Sequence, residues 1–154
     1  MKKALFFENA KLLNEKFHII PLMYGSLGLE HLTGESLDAD DIDILVPKAY
    51  VTDRWDEFKE ILTNEGYVLF DEHEHTFGKD GVFYSYAALE ELEAFAGIKL
   101  SDISIQSNDA VQFRLLSLEQ YLMVYSSSVK DGYRVNVRQK KDKEKIEFIE
   151  GLVK

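Results

Sequence analysis

The sequence contains no cysteine among its 154 residues and only two prolines. Without cysteine, disulfide bonds and thiolate metal sites are excluded, and a reducing, cytoplasmic location is the expectation. No run of about 20 apolar residues occurs, so no membrane-spanning helix is predicted. The basic residues at the start of the chain are followed too soon by Glu8 and Asn9 for the apolar core of a secretory signal peptide.

Basic residues are also scarce, since 18 lysines and arginines stand against 28 aspartates and glutamates, for a formal net charge of −10. Such an acidic chain is not expected to bind nucleic acid through its overall charge. Residues 130–154 are the exception, with 8 basic side chains against 5 acidic ones. This segment could face an anionic ligand, but a solvated helix face of mixed charge is the favoured interpretation.

The length predicts a single domain spanning residues 1–154, with residues 117–154 as a C-terminal helical part. Apolar periodicity predicts helices at residues 4–17, 51–64, 89–96, 117–127 and 141–153. Strands are expected at residues 18–24, 41–46, 68–77, 82–87, 100–106 and 111–116. Short strands mixed with helices indicate an α+β or mixed α/β fold, with a small, partly antiparallel sheet flanked by helices.

The first expected strand ends in Tyr24-Gly25-Ser26. Glycine allows the backbone to approach a ligand closely, and serine adds a hydroxyl donor. If a short helix begins just after Ser26, its free N–H groups favour an anion such as phosphate. The turn is therefore a candidate phosphate-binding site.

The second strand opens with Asp41-Ile42-Asp43-Ile44. Alternate side chains of a strand share a face, so the two aspartates are expected on one face and the two isoleucines in the core. Two carboxylates about 7 Å apart on one strand face repel each other unless a cation lies between them. A divalent cation that prefers oxygen ligands, such as Mg²⁺, is the natural candidate.

This ordered combination resembles the polymerase-beta-like nucleotidyltransferase superfamily, in the form of a small, minimal domain. The signature is a hydrophobic residue, Gly, then Gly or Ser, a spacer, and Asp-hydrophobic-Asp/Glu-hydrophobic. Here it reads Tyr24-Gly25-Ser26 and Asp41-Ile42-Asp43-Ile44. The spacer, residues 27–40, is slightly longer than usual, which indicates an extra loop around residues 33–36.

The resemblance implies a third carboxylate from a neighbouring strand. Asp102 is the candidate, because burial of a lone carboxylate in an apolar strand is costly, and a functional role would explain its presence there. The alternative is that Asp102 only bends the chain at a strand start. If Asp102 is not the third acid, Glu72 or Glu74 could substitute, or the site is degenerate.

Two further segments carry weaker signals. His73 and His75 could share a strand face and bind a metal, but surface polar residues are the favoured interpretation because no third ligand is evident. The late segment, with Ser117-Leu118-Glu119-Gln120 and then Arg138 and Lys141-Asp142, also resembles small-molecule nucleotidyltransferases. Lys140 or Lys141 could reach a triphosphate there, or form surface salt bridges instead.

The resemblance implies a Mg²⁺-dependent nucleotidyltransferase that moves a nucleoside monophosphate from an NTP to a hydroxyl and releases pyrophosphate. Asp41, Asp43 and Asp102 would be the catalytic residues and hold two Mg²⁺ ions, while Gly25 and Ser26 would hold the β- and γ-phosphates. The acceptor would be a small molecule or a protein, and a homodimer or a partner protein could complete its pocket.

Two alternatives remain open at this point. The fold could serve as a non-catalytic nucleotide-binding or protein-interaction module, for example as one half of a toxin–antitoxin or phage-defence pair. In a purely structural interpretation, Asp41 and Asp43 would only solubilise a sheet edge, which leaves the Gly-Ser turn unexplained.

Overall fold

Seven strands and six α-helices make up the computed structural model, which describes residues 2–37, 39–130 and 136–153, with side chains at 2–37, 39–127 and 144–152. The helices are α1 (Lys2–Phe17), α2 (Gly25–Thr33), α3 (Trp55–Asn64), α4 (Glu91–Ala96), α5 (Leu118–Lys130) and α6 (Asn136–Val153). The strands are β1 (Leu22–Tyr24), β2 (Ile42–Val46), β3 (Val68–Asp71), β4 (Thr76–Lys79), β5 (Val82–Ala88), β6 (Ser104–Asn108) and β7 (Val111–Leu115). Short 3₁₀ turns occupy Lys48–Val51 and Leu100–Asp102. Among the described helices, none is both long enough and apolar enough to cross a bilayer.

The strands form one sheet in the order β3-β4-β5-β2-β1-β7-β6. β2 pairs with β5 and β1 pairs with β7 in parallel, whereas the other neighbours are antiparallel. The expected mixed, partly antiparallel sheet flanked by helices is therefore confirmed.

Alternate residues of the central strands enter two apolar clusters, one on each face of the sheet. In β2, Ile42 and Ile44 join the cluster that contains residues of α1 and α3. Leu45 joins the cluster that contains residues of α4 and α5. The alternation follows from the two-residue period of a strand, and it places Asp43 on the same face as Leu45.

The first strand is shorter than the sequence predicts, because β1 begins at Leu22, after Pro21. Proline has no N–H to donate to a sheet, although the carbonyl oxygen of Pro21 does accept from the N–H of Arg114, at 2.7 Å. The residues before it close the end of α1 instead, with His18 at a φ of 58°. The prediction of a strand over residues 18–24 was wrong for its first four positions.

The segment expected as one strand over residues 68–77 is two strands, β3 and β4, separated by a turn at residues 72–75. His75 has a φ of 52°, which is incompatible with an extended strand. His73 and His75 therefore do not share a strand face. β4 and β5 form a hairpin, and its turn is Asp80-Gly81.

The starts of α5 and α3 show how far local side chains determine where a helix begins. At the start of α5, the Ser117 hydroxyl accepts from the N–H of Gln120 at 3.1 Å, and the Gln120 amide oxygen accepts from the N–H of Ser117 at 2.9 Å. These two reciprocal hydrogen bonds form a capping box. The helix expected over residues 51–64 starts only at Trp55, because the 3₁₀ turn Lys48–Val51 precedes it.

Candidate functional site

The candidate phosphate turn is the direct junction between β1 and α2. β1 ends at Tyr24 and the helix begins at Gly25, which has a φ of 64°. This left-handed backbone conformation favours glycine. The Tyr24 side chain at the N-cap makes no capping hydrogen bond to α2, and the partial positive charge of this helix start favours an anion. The helix that the sequence predicts after this turn is confirmed, one residue earlier than Ser26.

Asp43 lies directly against this junction. In the antiparallel pairing of β1 and β2, Tyr24 is the partner of Asp43. A Cβ atom built on Gly25 would stand 2.7 Å from the Asp43 carboxylate oxygen Oδ2, closer than real Cβ contacts come. The close approach of carboxylate and backbone thus requires glycine at position 25, and it brings two of the sequence-predicted site residues together.

Asp41 stands at a bend immediately before β2, and its side chain is exposed. The loop that leads to it is held by Glu30 of α2, whose carboxylate oxygen accepts from the N–H of Leu37 at 2.7 Å and of Ala39 at 3.2 Å. These two hydrogen bonds fix the longer spacer of the motif to the helix. Asp41 therefore follows an anchored loop and lies two residues before Asp43 in the chain.

An open cleft of about 520 Å³ extends from Asp43 over the neighbouring strand β5. Ser85 of β5 is the pairing partner of Asp43, and its hydroxyl lies 2.8 Å from that of Thr76. Polar side chains from three other segments also line the cleft: Lys48, Thr52, His73, Glu74, His75 and Glu91. The cleft has room for a small ligand, and it borders the carboxylate and the helix start.

The turn at residues 72–75 forms one wall of the cleft and is tied to α3. Glu72 accepts hydrogen bonds from Lys59 at 2.9 Å and from the indole N–H of Trp55 at 3.3 Å. These bonds, the one from Lys59 first, hold the pKa of the Glu72 carboxyl below its ordinary value. His75 packs edge-on against the Trp55 ring, with 4.6 Å between ring centroids. Glu72 therefore holds the wall in place, and His73, Glu74 and His75 are the side chains of this wall that line the cleft.

Asp102 does not lie in a strand beside β2. It ends the 3₁₀ turn Leu100–Asp102, its side chain is exposed, and β6 follows it. In the sheet, β1 and β7 separate β6 from β2. The expected strand over residues 100–106 is confirmed only for its last three positions, because the strand starts at Ser104. The chain bends where the alternative interpretation placed the bend, and the role of Asp102 in catalysis stays a prediction.

The donor chemistry of Asp41 and Asp43 fits Mg²⁺, which is usually bound through one or two protein carboxylates together with substrate phosphates and water. Within the part of the chain that the structure describes, no three His, Cys, Asp or Glu side chains are gathered closely enough to hold a metal. The binding of a metal ion by the two aspartates at the start of β2 stays a prediction. On the adjacent strand, the position beside Asp43 carries the hydroxyl of Ser85.

Several residues of this site gave no signal in the sequence. Ser85 lies 42 positions from its partner Asp43, and only the parallel pairing of β2 with β5 unites them. Tyr121 of α5 reaches the carbonyl oxygen of Gly25 across 96 positions. The side chains of Arg138, Lys140, Lys141 and Asp142, which the sequence connects with a triphosphate or with salt bridges, lie outside the described residues.

Comparison with known proteins gives one close relative in sequence. The uncharacterized protein YnaI of Bacillus subtilis (strain 168) is 35% identical over 149 residues, which cover 97% of this chain and 96% of that protein. No protein-family model matches the chain.

Two solved structures are similar in fold. The solution structure of the antibiotic-resistance factor ANT(2'')-Ia superposes with a TM-score of 0.52 at 13% identity, and covers 99% of this chain and 91% of that one. The crystal structure of ANT(2'')-Ia in complex with adenylyl-2''-tobramycin gives a TM-score of 0.51 at 11% identity, with coverage of 99% and 97%. At such identities the likeness shows the fold alone, and that fold is similar to a nucleotidyltransferase fold.

Proposed function

The chain belongs to the same family as YnaI, and from its fold and the packing of Asp43 on Gly25 we propose that it is a Mg²⁺-dependent nucleotidyltransferase. In the proposed reaction, an acceptor hydroxyl attacks the α-phosphorus of an NTP. The bond from the α-phosphorus to the bridging oxygen breaks, pyrophosphate leaves, and the hydroxyl proton passes to a base. The product is a nucleotidylated acceptor.

One observation carries the proposal: the carboxylate of Asp43 packs against Gly25 at the start of α2. A cation at the carboxylate and phosphates at the helix start would therefore be immediate neighbours. The proposal gives Asp41 and Asp43 the role of Mg²⁺ ligands, and gives the N–H groups at Gly25 and Ser26 the role of holding the β- and γ-phosphates. When bound, Mg²⁺ neutralises phosphate charge and stabilises the leaving oxygen.

The acceptor would occupy the cleft beside Asp43. A volume of about 520 Å³ lies within the range of small-molecule sites. The similar structure of ANT(2'')-Ia contains adenylyl-2''-tobramycin, a nucleotidylated small molecule. A small molecule with a hydroxyl group is therefore the favoured acceptor, ahead of a protein, and the net charge of −10 disfavours nucleic acid. Glu74 and His75 are the candidate bases on the cleft wall.

A second function has one observation in its favour. The strand position beside Asp43 carries Ser85, a neutral hydroxyl, where a third acid would complete a second metal site. A chain with this arrangement could bind a Mg-nucleotide without turning it over, as a nucleotide-binding or protein-interaction module. Binding and turnover therefore have to be measured separately.

The first test is the melting temperature of the protein with each of the four NTPs, with and without Mg²⁺. A ligand that binds only the native state at 100 times its Kd stabilises it by about 2.7 kcal/mol. We expect a Mg²⁺-dependent rise with at least one NTP, which the double variant Asp41→Ala/Asp43→Ala loses. No rise with any NTP in the wild type would refute nucleotide binding.

The second test is the release of pyrophosphate in the presence of candidate acceptors. Asp43→Asn keeps the shape of the side chain and removes its charge, and it should abolish turnover. Asp80→Asn, in the exposed turn between β4 and β5, is the matched control and should turn over normally. An unchanged rate in Asp43→Asn would refute the enzymatic proposal, whereas nucleotide binding without turnover in the wild type would favour the binding module.

A further inference from the structure

Tyr121 of α5 reaches the phosphate turn from the interior of the protein. Its side chain has no solvent exposure, and its hydroxyl donates to the carbonyl oxygen of Gly25 at 3.1 Å. The carbonyl oxygen of Met23 lies within reach at 3.4 Å. A hydroxyl has one proton to donate, and the shorter contact, to Gly25, has the better hydrogen-bond geometry.

The space for this hydroxyl exists because residue 28 is glycine. A Cβ atom on Gly28 would collide with the Tyr121 hydroxyl and with the backbone carbonyl of Met23. The absent side chain lets α2 lie close on the end of β1, with the tyrosine hydroxyl between them. Gly28 and Tyr121 therefore form one packed unit beneath the turn.

Burial keeps this donor in its protonated form. Desolvation raises the pKa of Tyr121 well above its ordinary value, and the nearby charge of Asp43 acts in the same direction. The ring of Tyr121 also stacks on the ring of Tyr125, with 5.9 Å between their centroids, and this contact limits its motion. The hydroxyl is therefore a constant, pre-oriented donor across the physiological pH range.

The hydrogen bond controls the direction of a group that faces the ligand. The carbonyl oxygen of Gly25 and the N–H of Ser26 belong to one planar, trans peptide unit, and they point in opposite directions. A donor that fixes this oxygen from inside the protein also fixes the N–H on the other side. The Gly25 carbonyl also accepts the helical hydrogen bond from the N–H of Leu29, four residues on. Without the tyrosine hydroxyl, this helical bond alone holds the peptide unit, and the orientation of the Ser26 N–H is less strictly fixed.

We infer that Tyr121 is a positioning residue, which orients the Ser26 N–H and holds the start of α2 against Asp43 for the triphosphate. The inference rests on the proposed function for the identity of the ligand, and on the geometry alone for the ordering of α2. It connects the C-terminal helix α5 to nucleotide binding through an atom that never touches the nucleotide.

The test compares Tyr121→Phe, which removes only the hydroxyl, with Tyr84→Phe. Tyr84 is equally buried, at 1% exposure, but it lies in the apolar cluster on the other face of the sheet. The first readout, in the protein without ligand, is hydrogen exchange of the α2 amides relative to those of α3. The second is the Kd for each NTP with Mg²⁺, by calorimetry.

We expect faster exchange in α2 and unchanged exchange in α3 for Tyr121→Phe, and no such difference for Tyr84→Phe. The Kd for the Mg-nucleotide should rise about three- to tenfold, which corresponds to the loss of one uncharged hydrogen bond. Unchanged exchange in α2 would overturn the inference, and so would an unchanged Kd in a protein that binds nucleotide. If the wild type binds no NTP and Tyr121→Phe still shows faster exchange in α2, the ordering role of Tyr121 is supported and the proposed function is refuted.

Discussion

Substitution of Gly25 by alanine has two separate effects, one on the backbone conformation and one on the space between residue 25 and Asp43. The first is the backbone, since a φ of 64° lies in the left-handed region, which costs an L-residue about 1–2 kcal/mol. The second is space, since the new Cβ atom would meet Oδ2 of Asp43 at 2.7 Å. An ordinary contact begins at 3.4 Å, so the carboxylate has to retreat by about 0.7 Å.

The first cost affects stability and the second affects function. For a chain of this size, a loss of 1–2 kcal/mol lowers the melting temperature by roughly 2–8 °C. The displaced carboxylate acts on ligand binding instead, because a misplacement of about 1 Å in a site can cost on the order of 10²-fold in rate. We therefore expect Gly25→Ala to stay folded, to lose most of its affinity for Mg-nucleotide, and to lose turnover with it.

Gly34 provides the matched control. It ends α2 with a φ of 80°, and a Cβ atom there would meet no atom within 4 Å. Gly34→Ala should therefore lose similar stability in chemical denaturation and keep its Mg-nucleotide affinity in calorimetry. If Gly25→Ala and Gly34→Ala bound the nucleotide equally well, the packing of Asp43 on the helix start would have no role in binding, and the central observation of the proposal would fail.

Three further substitutions test the surroundings of the site. Asp102→Asn should leave turnover nearly unchanged, because two strands separate β6 from β2; a loss as large as that of Asp43→Asn would establish Asp102 as the third acid. Glu30→Ala removes the acceptor of two loop amides and should cost about 2 kcal/mol in denaturant unfolding, whereas the exposed Glu35→Ala should cost almost nothing. Lys59→Met should return the lowered pKa of Glu72 toward its ordinary value in an NMR titration, since the Lys59 hydrogen bond is its largest cause. A carboxyl pKa that is lowered in the folded state stabilises that state at pH values above the unfolded pKa, so this contribution is lost as the pH falls below about 4. An unchanged Glu72 pKa in Lys59→Met would contradict the assignment of the Lys59 hydrogen bond as the main cause of the shift.

The sequence was most informative where the signal is local. The two isoleucines beside Asp43 are buried as their alternation predicts, and Ser117 and Gln120 cap α5 through mutual hydrogen bonds. In both cases the deciding atoms lie within a few residues of each other. The same holds for the helix after the Gly-Ser turn, which starts where the apolar strand ends.

The sequence failed where backbone conformation at single residues overrides the apolar pattern. The apolar run before Tyr24 continues through Pro21, but the sheet starts only after the proline. The run over residues 68–77 is divided at His75, whose positive φ no composition rule anticipates. Asp102 is the third example, since its apolar neighbours suggested a strand and the chain forms a 3₁₀ turn.

The sequence by itself determined the mixed fold, the Gly25-Ser26 turn and the acidic start of β2, because these depend on periodicity and on side-chain chemistry over short spans. Only the tertiary structure decided which residues share the site. Strand order brought Ser85 to Asp43 and placed Asp102 beyond β1 and β7. Helix packing brought the hydroxyl of Tyr121 to Gly25. Pairing and packing of this kind join residues that are tens of positions apart, and their partners are selected by the burial of the whole sheet rather than by any pattern near them.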